Sequence, residues 1–103
     1  MNIAKSIRTA VDTGKVLLGT KRTLEAVLSG DAKLAVVASN AERESKEDLM
    51  RYAGLSGVHV HEFRGSGVEL GEVCGKPFVV SMLAVLETGE SDILELKKSR
   101  KEG

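Results

Sequence analysis

The sequence predicts an α/β fold, a three-layer α/β/α sandwich around a mixed sheet of four or five strands. Two apolar runs, LAVVA at 34–38 and FVVSMLAV at 78–85, have no polar face, which is typical of strands covered by helices on both sides. Segments with helical spacing of apolar residues alternate with these runs along the chain. At 103 residues the chain has room for one core. We therefore expect a single domain over residues 1–96, followed by a basic, flexible tail at 97–103.

Four segments combine the apolar periodicity of a helix with signals for where a helix begins and ends. Asn2 can cap the first helix and Gly14 can end it. Ser39 and Asn40 offer side-chain caps for the third helix, and Gly54 is placed to end it. A capping-box pattern, Ser followed three residues later by Glu, opens the fourth. The predicted helices cover residues 2–13, 20–29, 39–53 and 66–74.

Four further segments are predicted strands. The segment at 58–63 alternates valine with histidine, which indicates a half-exposed strand. A turn is expected at 87–90, and the periodicity of 93–96 fits either a last edge strand or a helix fragment. The predicted strands cover residues 16–18, 34–38, 58–63 and 78–85.

The overall charge excludes a strongly basic nucleic-acid binder, because 15 Lys and Arg residues balance 15 Asp and Glu residues. Only local clusters, such as Lys21 with Arg22, can attract phosphate. The single cysteine, Cys74, excludes an internal disulfide and a cysteine-rich zinc site and fits a reducing cytoplasm. No apolar run approaches the roughly 20 residues of a membrane span, and the N-terminus lacks the apolar core of a signal peptide.

Three patterns in the sequence could form catalytic or metal sites. His59 and His61 form a possible two-ligand metal arm, but no partner set stands at recognisable spacing, which favours a strand face. Cys74 lies on the apolar side of its helix, which favours a core thiol. The glycines at 65–71 follow G-x-G-x-x-x-G spacing rather than the dinucleotide fingerprint, which favours a capped turn. We expect no catalysis, no metal and no cofactor; a small nucleotide-binding enzyme is the weakest alternative.

Two strand-to-helix loops carry the residues best suited to a ligand. Gly19, Thr20 and Lys21 follow the first strand, where a helix N-terminus and a cation suit phosphate. Asn40 follows the buried second strand, and its amide can recognise a base edge, although a helix cap is the commoner role. If the two strands are parallel neighbours, both loops lie at one edge of the sheet, where α/β folds bind ligands.

Long stretches of the chain resemble the ribosomal branch of the L7Ae kink-turn RNA-binding family, found in archaea and eukaryotes. They include VLLGTKRTLEAV at 16–27, the segment 33–63, GSGVELGEVCGKPFVVSMLAV at 65–85 and GESDIL at 89–94. The resemblance implies a non-enzymatic constituent of the large ribosomal subunit, in the cytoplasm. Its implied partners are ribosomal RNA with a kink-turn or related internal loop and other large-subunit proteins; it implies no membrane and a monomer when isolated. A general kink-turn adaptor of small ribonucleoproteins is the alternative.

The resemblance also implies an RNA surface made of three loops. In the family, the asparagine contacts a guanine of the tandem G·A pairs, and apolar residues of the third loop pack on an extruded base. Acidic neighbours surround the cations of the third helix, so we expect shape-selective binding with few phosphate contacts. The implied RNA-binding residues are Gly19, Thr20 and Lys21; Asn40, Arg43 and Lys46; and Lys76, Pro77, Phe78, Val79 and Val80.

Overall fold

The computed structural model describes residues 2–96, so the predicted tail at 97–103 lies outside the described residues. Within 2–96, four helices alternate with four strands, which confirms the predicted α/β class. The elements are α1 (Ile3–Thr13), β1 (Lys15–Leu18), α2 (Thr20–Ser29), β2 (Leu34–Ala38), α3 (Arg43–Ser56), β3 (His59–Phe63), α4 (Gly67–Val73) and β4 (Met82–Glu87).

The four strands form one mixed sheet in the order β1-β4-β2-β3. β4 runs antiparallel to both of its neighbours, whereas β2 and β3 are parallel. At one edge of the sheet, Leu18 faces Leu83, Val37 faces Met82 and Ala38 faces Phe63. The carboxyl ends of β1, β2 and β3 therefore meet the amino end of β4 at this edge, which we call the site edge. β1 and β2 point the same way, as expected, but they are not neighbours because β4 lies between them.

Helices cover both faces of the sheet, because alternate residues of β2 enter two different core clusters. Leu34 and Val36 join a cluster formed with α1, α4 and β4. Ala35 and Val37 join a second cluster formed with α2 and α3. Every residue of β2 is buried. The apolar run without a polar face thus becomes a central strand, and the three-layer sandwich follows from it.

The ends of α3 differ from the prediction. The helix begins at Arg43, and Glu42 is its N-terminal flanking residue without a side-chain capping bond. Ser39 and Asn40 do not cap it, because the Ser39 side chain bonds to Phe63 at the end of β3 and the Asn40 side chain bonds to Gly67 at the start of α4. Gly54 lies within the helix, which ends instead at Gly57, where the backbone is left-handed with φ 72°.

The start of β4 also differs from the predicted strand at 78–85. Strand pairing begins at Met82, because Val80 donates its N–H to the carbonyl of Gly67 and so belongs to a loop bound to α4. Phe78 and Val79 are 54% and 59% exposed, so they are not covered on both faces.

The segment at 93–96 forms a helical turn, which excludes the edge-strand alternative. Glu95 donates its N–H to the carbonyl of Asp92, and Leu96 donates to that of Ile93. These three-residue spacings are those of a turn. Ile93 is fully buried in the cluster with α1 and α4, so this turn closes that side of the core.

Candidate nucleic-acid interface

The site edge brings together the three loops identified in the sequence. The first loop is residues 19–21, the second is 39–42, and the third is 76–81. Gly19 donates its N–H to the carbonyl of Met82 at 3.0 Å, and Ala38 donates to that of Ser81 at 2.8 Å. The start of the first loop and the residue just before the second loop are thereby anchored where the third loop enters β4. The amino end of β4 is the common support of the surface.

The first loop opens α2 without a side-chain cap. Gly19 is the N-terminal flanking residue, and its backbone has φ 112°, a conformation that favours glycine. Thr20 is half-buried and Lys21 is exposed. The unpaired N–H groups of the first turn and the Lys21 ammonium therefore lie together, which suits a phosphate group.

The second loop is held by residues of β3 and the β3–α4 connection. Ser39 donates its N–H to the carbonyl of Gly65 at 3.0 Å and its hydroxyl to that of Phe63 at 2.7 Å. Asn40 is exposed, and its Oδ1 accepts the N–H of Gly67 at 2.9 Å. These contacts fix the loop against α4 and leave the Asn40 amide at the surface.

The two cations that follow the second loop have different surroundings. The Lys46 ammonium donates to the carbonyl of Ser39 and to Glu62 Oε2, each at 2.8 Å. The hydrogen bond and the charge of Lys46 lower the pKa of Glu62. The Arg43 side chain is 92% exposed and pairs with Glu47 at 3.3 Å. Arg43 can therefore reach a partner outside the protein, whereas Lys46 is engaged within it.

The third loop presents an apolar surface beside α4. Pro77, Phe78 and Val79 are exposed and line a groove of about 260 Å³ together with Lys76 and two residues of α4, Val68 and Glu72. Val80, by contrast, is 1% exposed and belongs to the core cluster with α1 and α4. The side chain of Val80 therefore anchors the loop from inside and is not part of its outer surface.

Two glycines of α4 allow this close packing, and their role was missed in the sequence. A Cβ on Gly71 would lie 2.0 Å from the carbonyl oxygen of Phe78, and one on Gly67 would lie 2.7 Å from Val79 Cγ1. The predicted capping box of Ser66 and Glu69 is confirmed. The spacing of these glycines is evident in the sequence. Their role is not, because it depends on how the third loop packs against α4.

The cysteine and the histidines considered as catalytic or metal-binding residues do not form a reaction centre in the described part of the chain. Cys74 is buried in the core, as predicted, and burial raises the pKa of its thiol to about 11. Burial and the nearby Arg64 lower the pKa of His61, which is half-buried. Within residues 2–96, histidine, cysteine and carboxylate side chains form no group of three that could hold a metal ion. In the same range, the structure contains no helix with the length and apolar character needed to cross a membrane.

Comparisons with known proteins match the chain over nearly its whole length. Residues 1–95 match the ribosomal protein L7Ae/L30e/S12e/Gadd45 family. The chain is 48% identical over 98 residues to the large ribosomal subunit protein eL30 of Methanosphaera stadtmanae, covering 95% of this chain and 100% of the relative. The protein of the same name from Methanocaldococcus jannaschii is 48% identical over 103 residues, covering 100% of this chain and 94% of the relative.

A further relative and a solved structure extend these matches. The large ribosomal subunit protein eL30 of Methanothermobacter thermautotrophicus is 50% identical over 96 residues, covering 93% of this chain and 98% of the relative. The structure of a protein with unknown function from Bacillus halodurans C superimposes with a TM-score of 0.73 at 21% identity, covering 82% of this chain and 83% of the other. At this low identity, the similarity to the solved structure supports the fold alone.

Proposed function

The chain belongs to the ribosomal protein L7Ae/L30e/S12e/Gadd45 family, and from this premise we propose that it is a structural, non-enzymatic constituent of the large ribosomal subunit. Relatives named large ribosomal subunit protein eL30 are 48–50% identical to it and are covered over 94–100% of their lengths. The whole domain is therefore shared, rather than one motif. The proposal places the chain in the ribosome, bound to ribosomal RNA and beside other large-subunit proteins, as a monomer when isolated.

The RNA element proposed here is a kink-turn or a related internal loop. The observation that carries this proposal is the combination of chemistries at the site edge. An exposed amide, Asn40, lies in the second loop, and exposed apolar side chains, Phe78 and Val79, lie in the third. An amide suits a base edge and an aromatic ring suits an unstacked base. A regular duplex offers no unstacked base, whereas a kinked internal loop does.

Each predicted residue then has a proposed role. The first loop, Gly19 to Lys21, contacts a phosphate with backbone N–H groups and a cation. Asn40 recognises a base edge, and Phe78 with Val79 packs on an extruded base. The remaining predicted residues act around this centre: Arg43 and Lys76 as exposed cations, Pro77 as part of the third loop's outer surface, and Val80 and Lys46 as anchors of their loops.

Binding of the Phe78→Ala variant to a kink-turn RNA and to a plain duplex tests this proposal. Loss of base stacking should lower the affinity for the kink-turn by about 1–3 kcal/mol and leave duplex binding nearly unchanged. Leu55→Ala is the matched control. Leu55 is also an exposed apolar residue, at 75%, but it lies near the end of α3 that is remote from the second loop. Equal affinity of the parent for both RNAs, or equal effects of the two substitutions, would contradict the proposal.

A general kink-turn adaptor of small ribonucleoproteins is the second candidate, because the same surface would serve it. Co-purification separates the two functions. A tagged chain that sediments with large ribosomal subunits supports the first, whereas recovery with small guide particles supports the second. The near-full-length match to relatives named as large-subunit proteins favours the ribosome.

A further inference from the structure

The orientation of the Asn40 amide is fixed by one hydrogen bond. Its Oδ1 accepts the backbone N–H of Gly67 at 2.9 Å. A backbone N–H can only donate, so the side-chain atom that faces it must be the carbonyl oxygen. The assignment of oxygen and nitrogen therefore follows from the chemistry of the partner. The oxygen points toward α4, and the NH₂ group is left to face outward.

The backbone around Asn40 is fixed as well. The preceding residue, Ser39, bonds through its N–H, its hydroxyl and its carbonyl to Gly65, Phe63 and Lys46. The following residue, Ala41, donates its N–H to the carbonyl of Ala38 at 3.1 Å. The amide is thus preorganised before any ligand arrives, and turning it over would leave the N–H of buried Gly67 without its partner.

We propose that the backbone N–H of Gly67 is a specificity-determining group: it makes Asn40 present donors only, so that the second loop selects a base edge made of acceptors. This inference rests on the proposed RNA function. On the Hoogsteen edge, guanine offers two acceptors, O6 and N7, and uracil offers only one, O4, whereas adenine pairs one acceptor with a donor and cytosine offers a donor. An asparagine free to use both of its ends favours adenine. With its oxygen held by α4, Asn40 favours guanine.

Two substitutions at Gly67 test the N–H donor. Gly67 is the first residue of α4, a position that tolerates proline, and Ser66 before it has the extended backbone that proline requires, with φ −79° and ψ 170°. Gly67→Pro removes the donor. Gly67→Ala keeps it and places the same Cβ against Val79. The difference between these two variants reports the loss of the N–H together with the proline ring carbon that takes its place beside Asn40 Oδ1, whereas their shared effect reports crowding of the third loop.

The experiment measures the affinity of the protein for a kink-turn RNA and for the same RNA in which each guanine of the internal loop is replaced in turn by 2-aminopurine or 7-deazaguanine. The first analogue lacks O6 and the second lacks N7. The parent and Gly67→Ala should prefer guanine over at least one analogue by a factor on the order of ten. Gly67→Pro should lose that preference. Asn40→Asp keeps the bond to Gly67 but presents a carboxylate, so it should discriminate against guanine.

The outcomes separate this inference from the proposed function. A parent protein that binds the kink-turn no better than a duplex overturns both. A parent that prefers the kink-turn but binds both analogues as well as guanine overturns the inference alone, as does Gly67→Pro with the same preference as Gly67→Ala. Circular dichroism establishes that each variant is folded. If Gly67→Pro does not fold, Asn40→Asp decides the matter, because retained guanine preference in that variant also overturns the inference.

Discussion

At the scale of single residues, Lys46 illustrates how tertiary contacts change the role of a charged side chain. It was predicted to contact RNA, yet its ammonium bonds to the carbonyl of Ser39 and to the Glu62 carboxylate. Its side chain is 28% exposed. The ammonium carries three donors: one supports the backbone just before Asn40, and another is held by the Glu62 carboxylate. Lys46 is therefore better suited to hold the second loop than to neutralise a phosphate.

Glu62→Gln tests this role of Lys46, because the two possible roles predict opposite changes in RNA affinity. If Lys46 binds phosphate, removing its acidic partner should strengthen RNA binding. We predict the opposite, a weakening of about twofold to tenfold, because a looser Lys46 holds Ser39 less firmly. The measurement is the affinity for kink-turn RNA at fixed salt. Glu44→Gln is the control, because it removes one exposed acid of α3 with no hydrogen bond to the second loop.

The same ion pair has a defined pH range. Lys46 lowers the pKa of Glu62 below its ordinary value of 4.5. A carboxyl group with a lowered pKa contributes stability above its unfolded pKa and loses that contribution as the pH falls through its folded pKa. Glu62 is therefore ionised and paired with Lys46 at neutral pH, and the ion pair is lost only at a pH below 4.5. The effect of Glu62→Gln on binding should accordingly not vary between pH 6 and pH 8, because both values lie above the ordinary pKa of 4.5.

At the scale of elements, α4 sets the position of the third loop through its small residues. Gly71 is buried, and its Cα faces the backbone of Phe78. Gly67 accepts the N–H of Val80 on its carbonyl at 3.0 Å. A single short helix thus fixes both Asn40 of the second loop and the exposed apolar residues of the third. The relative position of the two loops is therefore set by contacts with the same helix.

Alanine at Gly71 should separate α4 from the third loop. The added Cβ would lie 2.0 Å from a backbone oxygen, which cannot move like a side chain. We expect a loss of about 1–3 kcal/mol in the free energy of unfolding, typical of overpacking, and weaker kink-turn binding. Urea unfolding and RNA titration measure the two effects.

Gly54→Ala is the matched control for that substitution. Gly54 also lies within a helix, but an added Cβ would meet nothing within 4 Å. This variant should be more stable by about 0.4–1 kcal/mol, because alanine lowers the entropy of the unfolded chain, and its RNA affinity should not change. Similar effects of the two alanines would show that α4 does not position the loop by close contact.

At the scale of the whole molecule, a neutral chain must bind RNA with few cations. The formal net charge is zero, and the exposed cations of the three loops and the start of α3 are Lys21, Arg43 and Lys76. Acidic residues of α3 neighbour Arg43 in the sequence and Glu47 pairs with it, so neither the net charge nor this helix provides a strong attraction for phosphate. Recognition must therefore depend on the shape of the RNA and on contacts to individual bases.

The salt dependence of binding should accordingly be modest. Each neutralised phosphate contributes about −0.7 to −0.9 to the slope of log affinity against log salt, so three cations predict a slope of roughly −2 to −3. The measurement is a titration of kink-turn RNA between low and physiological salt, beside a plain duplex. A much steeper slope, with equal affinity for both RNAs, would indicate a general electrostatic surface instead.

Taken by itself, the sequence determined the elements whose signals are local. α2 and β2 have the predicted bounds, α1 begins after Asn2, and the capping box of Ser66 opens α4. Periodicity and capping act between residues a few positions apart, so a linear pattern suffices to predict them. The first loop follows from the same patterns, because it lies between β1 and α2. The second loop was proposed as a ligand site from its place after a buried strand, beside the commoner role of a helix cap, whereas the third loop was assigned its function by resemblance alone.

Only the tertiary structure decided the order of the strands, the start of β4 and the partners of the loop residues. Asn40 bonds to Gly67, which is 27 positions away, and Lys46 bonds to Glu62, which is 16 away. A helix-cap residue and an oriented base-recognition residue look alike in sequence, because both are a polar side chain after a strand. Which role is taken depends on the N–H that the folded chain brings next to the amide, and only packing of α4 against the sheet brings it there.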